Sequence, residues 1–217
     1  DILPDGDNHV RHMVLGVFDP LDETTYQFSL AIRLAEAYLV AQDRSLSVQN
    51  GIRDPDAMRF GETELSRLEP NSGAYVGVSL GSPELLLNFR QHPNPFRYLT
   101  ASQIKAGDFD PAWFRDRIVI VGITAAKIRP AIPTAALSGS TNSLELQAHT
   151  ISQIISAVMD QRLLLRTWHD GWEYLWIVGW GFLGVGFSRR TQFPLQTLLM
   201  TGVANITLIG ICYALFV

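Results

Sequence analysis

The chain has 217 residues, with 17 Lys and Arg against 21 Asp and Glu and a formal net charge of −4. That balance excludes the basic footprint of a nucleic-acid-binding protein. The single cysteine, Cys212, lies in an apolar run near the end of the chain, so the region before it can form neither disulfides nor cysteine-based zinc or iron–sulfur sites.

In chain order, DGDN (5–8) signals a turn, and HMVLGVFD (12–19) reads as a strand ending at Asp19. Thr24 and Gln27 fit a capping box for a helix over FSLAIRLAEAYLVAQ (28–42). On that helix Phe28, Ile32, Ala35 and Leu39 share one face, and Ser29, Arg33, Glu36 and Asp43 the opposite one. Residues 44–72 are polar and turn-rich and predict a loop with one short strand. GAYVGVSL (73–80) reads as a strand, and a second is expected around 96–99 after a Pro-rich turn. Asp110-Pro111 starts a short helical turn. IVIVG (118–122), β-branched on both faces, is the pattern of a central parallel strand. A helix is expected from Asn142, with Glu145 as its cap partner, to Asp160, burying Leu144, Ala148, Ile151, Ile155 and Val158. The fold class is α/β, with a mixed or mainly parallel sheet and packed helices, followed by transmembrane α-helices.

The C-terminal segments carry the membrane expectation. Thr197–Val217 contains 21 residues without a charge or a proline, long enough at about 1.5 Å per residue to cross roughly 30 Å of hydrocarbon. Residues 172–188 are shorter and richer in glycine, with tryptophans crowding the first half and Arg189 and Arg190 following, the flanks of a second span. Gly179, Gly181, Gly184 and Gly186 would admit a closely packed helix or simply loosen this one. The link 189–196 has two arginines and no acid, so it is expected in the cytoplasm, with residues 1–168 extracytoplasmic. Arg162 and Arg166 stand near the other end of the first span and weigh against that orientation. The chain opens on Asp1 without Met, and a fragment of a longer protein is expected.

DRIVIVGITAA (116–126) poses the question of a phosphate cradle. A Walker loop needs a second glycine followed by Lys and Ser or Thr, and a dinucleotide fingerprint needs G-x-G-x-x-G. Here no glycine follows Gly122 until Gly139, so neither is present. What is left is a sheet edge at which Thr124 could donate to a ligand or merely cap the turn.

FRDRIVIVGITAA, then LELQAHTISQIISAV and two closely spaced apolar segments, resemble the second of the CHASE sensory domains (cyclase- and histidine-kinase-associated sensory extracellular). The DG turn, FSLAIRLAEAYL and LLNFR agree with it, and the resemblance covers nearly the whole chain. It implies a non-catalytic domain outside the bacterial inner membrane, followed by spans and a cytoplasmic adenylate or guanylate cyclase, histidine kinase, Ser/Thr kinase or diguanylate cyclase. A homodimer is also implied, since those effectors commonly act as dimers. After Ala126 the chain departs from the family pattern, with KIRPAIPTAAL and with Pro133 before Thr134.

Three sets of side chains invite chemistry. Glu145, His149 and Ser152 lie at i, i+4 and i+7 on one helix stripe; a triad would need Ser within reach of the imidazole and an oxyanion hole beside it, and the alternatives are a solvated stripe or a ligand or dimer surface. Asp5, Asp7, His9 and His12 have metal-binding side chains but not the spacing of a calcium loop, and two histidines three apart point to opposite faces of an extended segment. Asn88 and Arg90 could fork onto a carboxylate or phosphate or form a salt bridge. The expected ligand contacts are therefore Arg90, Asn88, Thr124 and His149, with no catalytic residue, metal or cofactor. The partners expected are membrane lipid and an unknown small ligand or envelope protein. An envelope-binding module without signalling and a membrane-tethered hydrolase are the alternatives.

Overall fold

A computed structural model describes residues 2–19, 21–73, 75–77, 81–92, 94–125, 127–128, 130–135, 139–168, 170–190 and 194–216. The chain divides into two units, Asp1–Thr167 and Trp168–Val217.

In the first unit the expected strand 12–19 is two strands. β1 (His12–Val14) pairs antiparallel with β7 (Glu84–Leu86), and β2 (Gly16–Asp19) pairs with β3 (Asp22–Phe28) in a hairpin. The capping box at Thr24 is therefore not used. DETTYQF is rich in the β-branched and aromatic residues that suit a pleated ribbon, and hairpin pairing wins over the cap signal. Helix α1 (Leu30–Gln42) begins instead after Ser29, whose side chain accepts from the Ile32 N–H. Its buried positions Ala31, Ile32, Ala35 and Leu39 follow the predicted stripe, except that Phe28 stays on the strand with the Arg33 guanidinium 4.5 Å over its ring.

Residues 44–72 hold more order than the loop expected of them. After a 3-10 turn at Arg44–Leu46, β4 (Val48–Asn50), β5 (Met58–Phe60) and β6 (Thr63–Glu64) form an antiparallel sheet. Of the strand expected over 73–80, residues 74 and 78–80 lie outside the described residues, and Val76 and Gly77 form a turn. No strand forms at 96–99. Thr100 and Gln103 make a reciprocal capping box for α2 (Ala101–Ala106), which Gly107 ends in a left-handed conformation. The expected turn at Asp110-Pro111 is present as a 3-10 turn, Pro111–Phe114, capped by the Asp110 side chain.

All the ladders among the described residues, including the short pair β8 (Ile132–Pro133) and β9 (Ser140–Thr141), are antiparallel. The mainly parallel sheet is thus corrected. The strands are short and mostly joined by hairpins, whereas parallel pairing requires a long crossover for each strand. Among the described residues a single isolated parallel bridge joins Val10 to Thr134. The segment 118–122 is not a ladder strand. Ile118 and Ile120 pack on the core while Val119 and Val121 are exposed, and among the described residues its backbone has no hydrogen-bond partner. Alternation of faces was legible there; a neighbour to pair with was not.

Helix α3 (Ser143–Met159) starts where expected, Asn142 accepting from the Glu145 N–H at 2.9 Å. Its buried face is rotated from the expected one. Ile151 is buried, but Leu144, Ala148, Ile155 and Val158 are only half-buried, while Leu146, His149, Thr150, Gln153 and Ile154 are covered. The reason is that α3 serves two clusters. Ile151 and Ile154 join Leu15, Ile32, Leu39, Phe60 and Leu85, and Leu146 joins Val10, Met13, Leu87 and Phe89. Gly122 lies against this helix, and a Cβ added there would stand 2.8 Å from Leu144. The glycine serves close approach to a helix, not to a phosphate.

In the second unit α4 (Asp170–Arg190) covers the helix expected at 172–188 and α5 (Pro194–Phe216) covers 197–216 of the helix expected at 197–217; residues 191–193 of the link lie outside the described residues. Among the described residues no helix is long and apolar enough to cross a membrane. Val217 and the side chains of Thr197, Leu215 and Phe216, all within the uncharged stretch, fall outside the described ones.

Candidate functional site

After β7 the Leu87 N–H donates to the Arg11 carbonyl at 2.8 Å, and the segment that follows is pinned along α3. The Asn88 N–H donates to Gln153 Oε1 at 2.8 Å, and Gln153 Nε2 donates back to the Leu86 carbonyl at 2.9 Å. Such a reciprocal amide clasp fixes a backbone against a helix with both polar ends satisfied. It places Asn88, Phe89 and Arg90 over the α3 residues His149, Ser152 and Gln153.

Three of the four expected ligand residues meet here. The Arg90 N–H donates to His149 Nδ1 at 3.4 Å, and Arg90 Nε donates to Ser152 Oγ at 2.7 Å. His149 is buried between the rings of Phe89 and Phe96, with centroids 5.1 and 4.8 Å away. Burial pushes its imidazole down; the Glu145 charge opposes this, and Arg162 and Arg90 add to it. A neutral ring with Nδ1 accepting carries its proton on Nε2. Thr124, the fourth, is exposed on the extended segment, and among the described residues no hydrogen bond links it to this cluster.

The acid–base–nucleophile pattern on α3 is not assembled. Ser152 Oγ is engaged by Arg90 rather than His149, and the Thr141 hydroxyl donates to Glu145 Oε2 at 2.5 Å. At its centre the stripe is not solvated, since Phe89 and Phe96 cover His149, while Glu145 and Ser152 are half-buried.

Sequence reasoning missed Arg162. Its Nη2 donates to the Asn88 carbonyl at 2.8 Å, to Asn88 Oδ1 at 3.1 Å and to the Phe89 carbonyl at 3.4 Å. In the other direction Asn88 Nδ2 donates to the Leu163 carbonyl at 3.3 Å. Arg166 Nε adds a bond to Ser66 Oγ at 2.8 Å. The chain leaving α3 is thereby tied to the body of the first unit. Neither Arg90 nor Arg162 has a carboxylate within 4 Å among the described residues, and Arg162 Nη1 is buried without a partner. Burial, then the Arg90 charge, lower the proton affinity of Arg162. The only sequence signal was a pair of arginines, 162 and 166, on either side of three leucines in QRLLLRTW.

The other polar cluster surrounds His12, which is buried, with Nε2 2.9 Å from Asp5 Oδ1 and Nδ1 2.6 Å from Glu84 Oε2. The second contact lies off the hydrogen-bonding direction and is an ion pair rather than a formed hydrogen bond. Arg11 holds Asp5 at 2.6 Å and Asp7 at 2.7 Å. Both imidazole nitrogens thus face carboxylates, which leaves neither free for a metal, and His9 turns to Asp7 at the surface. No group of metal-ligand side chains gathers among the described residues.

A family model, the CHASE2 domain, matches residues 1–186. No curated protein and no solved structure matches the chain.

Proposed function

The chain belongs to the CHASE2 domain family, a family of extracytoplasmic sensory domains, and from that premise we propose that residues 1–168 are the input module of a bacterial inner-membrane receptor. In this reading α4 and α5 anchor it in the lipid, and a cyclase or kinase on the cytoplasmic side receives its signal. Support for the anchor comes from residue chemistry. No charge occurs between Pro194 and Phe216, Leu198, Ile206 and Ile209 stand exposed, and Arg189 and Arg190 mark a cytoplasmic link.

The observation that carries the signalling part is the clamp on 160–167. A segment joining the last helix of the first unit to α4 is held by a few hydrogen bonds from Arg162, Asn88 and Arg166. Hydrogen bonds with a charged donor contribute about 1.5–3 kcal/mol each, so clamped and released arrangements would differ by the few kcal/mol that a ligand can supply. The module transmits rather than catalyses, and acts as a homodimer.

A second reading, an envelope-binding module without signalling, draws on the segment 117–124, which pairs with no strand among the described residues. Its exposed Val119, Val121 and Ile123 could accept an added strand. Reading the gene beyond the codon for Val217 separates the two. A cyclase or kinase domain in frame is expected; a stop codon there would sink the receptor reading and advance the second.

A further inference from the structure

Among the described residues three arginines of the first unit have acids, while Arg59 and Arg166 spend their donors on neutral oxygens. Arg11 meets Asp5 and Asp7, Arg33 meets Glu36 and Arg67 meets Asp54. Arg90 and Arg162 differ. Arg162 bonds the Asn88 and Phe89 carbonyls, Arg90 follows directly in the chain and reaches Ser152 on α3, and among the described residues no carboxylate lies within ion-pair distance of either.

Their donors are also underused. A guanidinium has five N–H groups in a rigid fork. Arg90 spends only Nε, on Ser152, so both of its Nη groups have no partner among the described residues. Arg162 spends Nη2 on three acceptors and leaves Nη1 buried and unpaired. An unsatisfied buried donor costs about 1–3 kcal/mol, more on a charged group, and two like charges brought together add repulsion. Asp160, two residues before Arg162, pairs with neither arginine, and Glu145, one turn before His149 on α3, is bound to the Thr141 hydroxyl. The neighbouring His149 is kept uncharged by burial and contributes no counter-charge of either sign.

We infer that Arg90 and Arg162 form a binding site for a small oxyanion, the carboxylate or phosphate group of a solute, beside Ser152 and His149. Forked N–H pairs match both groups in geometry and charge. The Ser152 hydroxyl can donate to the anion while accepting from Arg90 Nε. The Phe89 and Phe96 rings flank the histidine and give the site an apolar side, suited to a ligand with a short carbon skeleton. Binding is coupled to the clamp. An anion that engages Arg162 competes with the Asn88 and Phe89 carbonyls for the same guanidinium, and so loosens the hold on residues 160–167. This rests on the sensory reading above and supplies that module with a ligand class.

The test is calorimetric titration of the full chain in detergent micelles with inorganic phosphate and, separately, with acetate and succinate. Saturable binding of at least one probe is expected. Arg90→Gln should weaken it by about tenfold to a hundredfold, the span of one charge-assisted hydrogen bond. Arg33→Gln, at a surface arginine paired with Glu36, should leave it unchanged. Unaltered thermal unfolding of Arg90→Gln guards against a folding defect, and Ser152→Ala provides a second variant in which weakened binding is expected. Phosphate binding without carboxylate binding assigns the ligand to phosphates, and the converse to carboxylates. No saturable binding of any probe, or equal binding by wild type, Arg90→Gln and Ser152→Ala, would overturn the site. A stop codon after Val217 would remove the receptor role and leave this binding result standing.

Discussion

Replacing His12 by Gln should uncover a pH-dependent part of the stability that is set by one buried ring. His12 is 7% exposed and sits between Asp5 and Glu84, with the Tyr75 ring edge-on at 5.6 Å and Arg11 on the far side of Asp5. The contact with Glu84 raises the proton affinity of the imidazole most; burial opposes it, and the Glu84 and Asp5 charges add to it. Because the folded pKa lies above the unfolded value near 6.5, the protonated ring stabilises the fold. That contribution is complete below about pH 6 and is lost as pH rises through the raised folded value. Each tenfold gain in proton affinity is worth about 1.4 kcal/mol. Removing the ring leaves Glu84, 4% exposed, without its partner, and breaking a buried pair in this way costs about 3–5 kcal/mol. Arg11 keeps Asp5 compensated, which places the loss toward the lower end. Urea unfolding of residues 1–167, followed by the fluorescence of Trp113, the sole tryptophan of that unit, measures both quantities. Wild type should lose stability as pH rises from about 6 through the raised folded value of His12, and His12→Gln should be weaker at pH 6 with a flatter profile. Equal slopes in the two proteins would refute the assignment of the titration to His12.

Other substitutions probe the elements that hold the site. Asn142→Ala removes the α3 N-cap and should cost about 1 kcal/mol in the same unfolding assay, with Asn142→Asp close to wild type. Gly16→Ala would place a Cβ 2.8 Å from the Gln27 carbonyl and 2.6 Å from the Tyr26 ring, a clash against backbone worth about 1–3 kcal/mol by denaturation. Arg162→Gln should speed amide hydrogen exchange in residues 160–167 while leaving α1 unchanged, and unaltered exchange there would show that the clamp holds nothing.

The parts of this chain that could be read from sequence were those in which one local signal had no rival. Asn142 followed by a 3.6-residue apolar period gives α3, and Asp110-Pro111 gives the capped turn before the extended segment. Where two local signals competed, the weaker-looking one won. Thr24 and Gln27 advertise a helix start, but DETTYQF pairs with Gly16–Asp19 across a hairpin, and Ser29 takes the cap. The face buried by α3 could not be read, because period alone cannot reveal that a helix is covered on two sides, by α1 and by Leu87 and Phe89. IVIVG shows alternation of Ile and Val but says nothing of which strand lies beside it, and pairing is a long-range property. Arg90 was legible as an anion-binding candidate from its residue type. Arg162 was not, since its partners are backbone carbonyls some seventy positions away, and carbonyls carry no sequence signature.

The central claim is that residues 1–168 face outward from the inner membrane. It is tested most directly by labelling a cysteine at Ser45, which is exposed in the 3-10 turn after α1, in a Cys212→Ser background that removes the native thiol. A membrane-impermeant maleimide, applied to cells whose outer membrane has been permeabilised, is expected to modify Ser45→Cys while the inner membrane is intact. Labelling that appears only after the inner membrane is broken would place the domain in the cytoplasm and contradict the sensory reading.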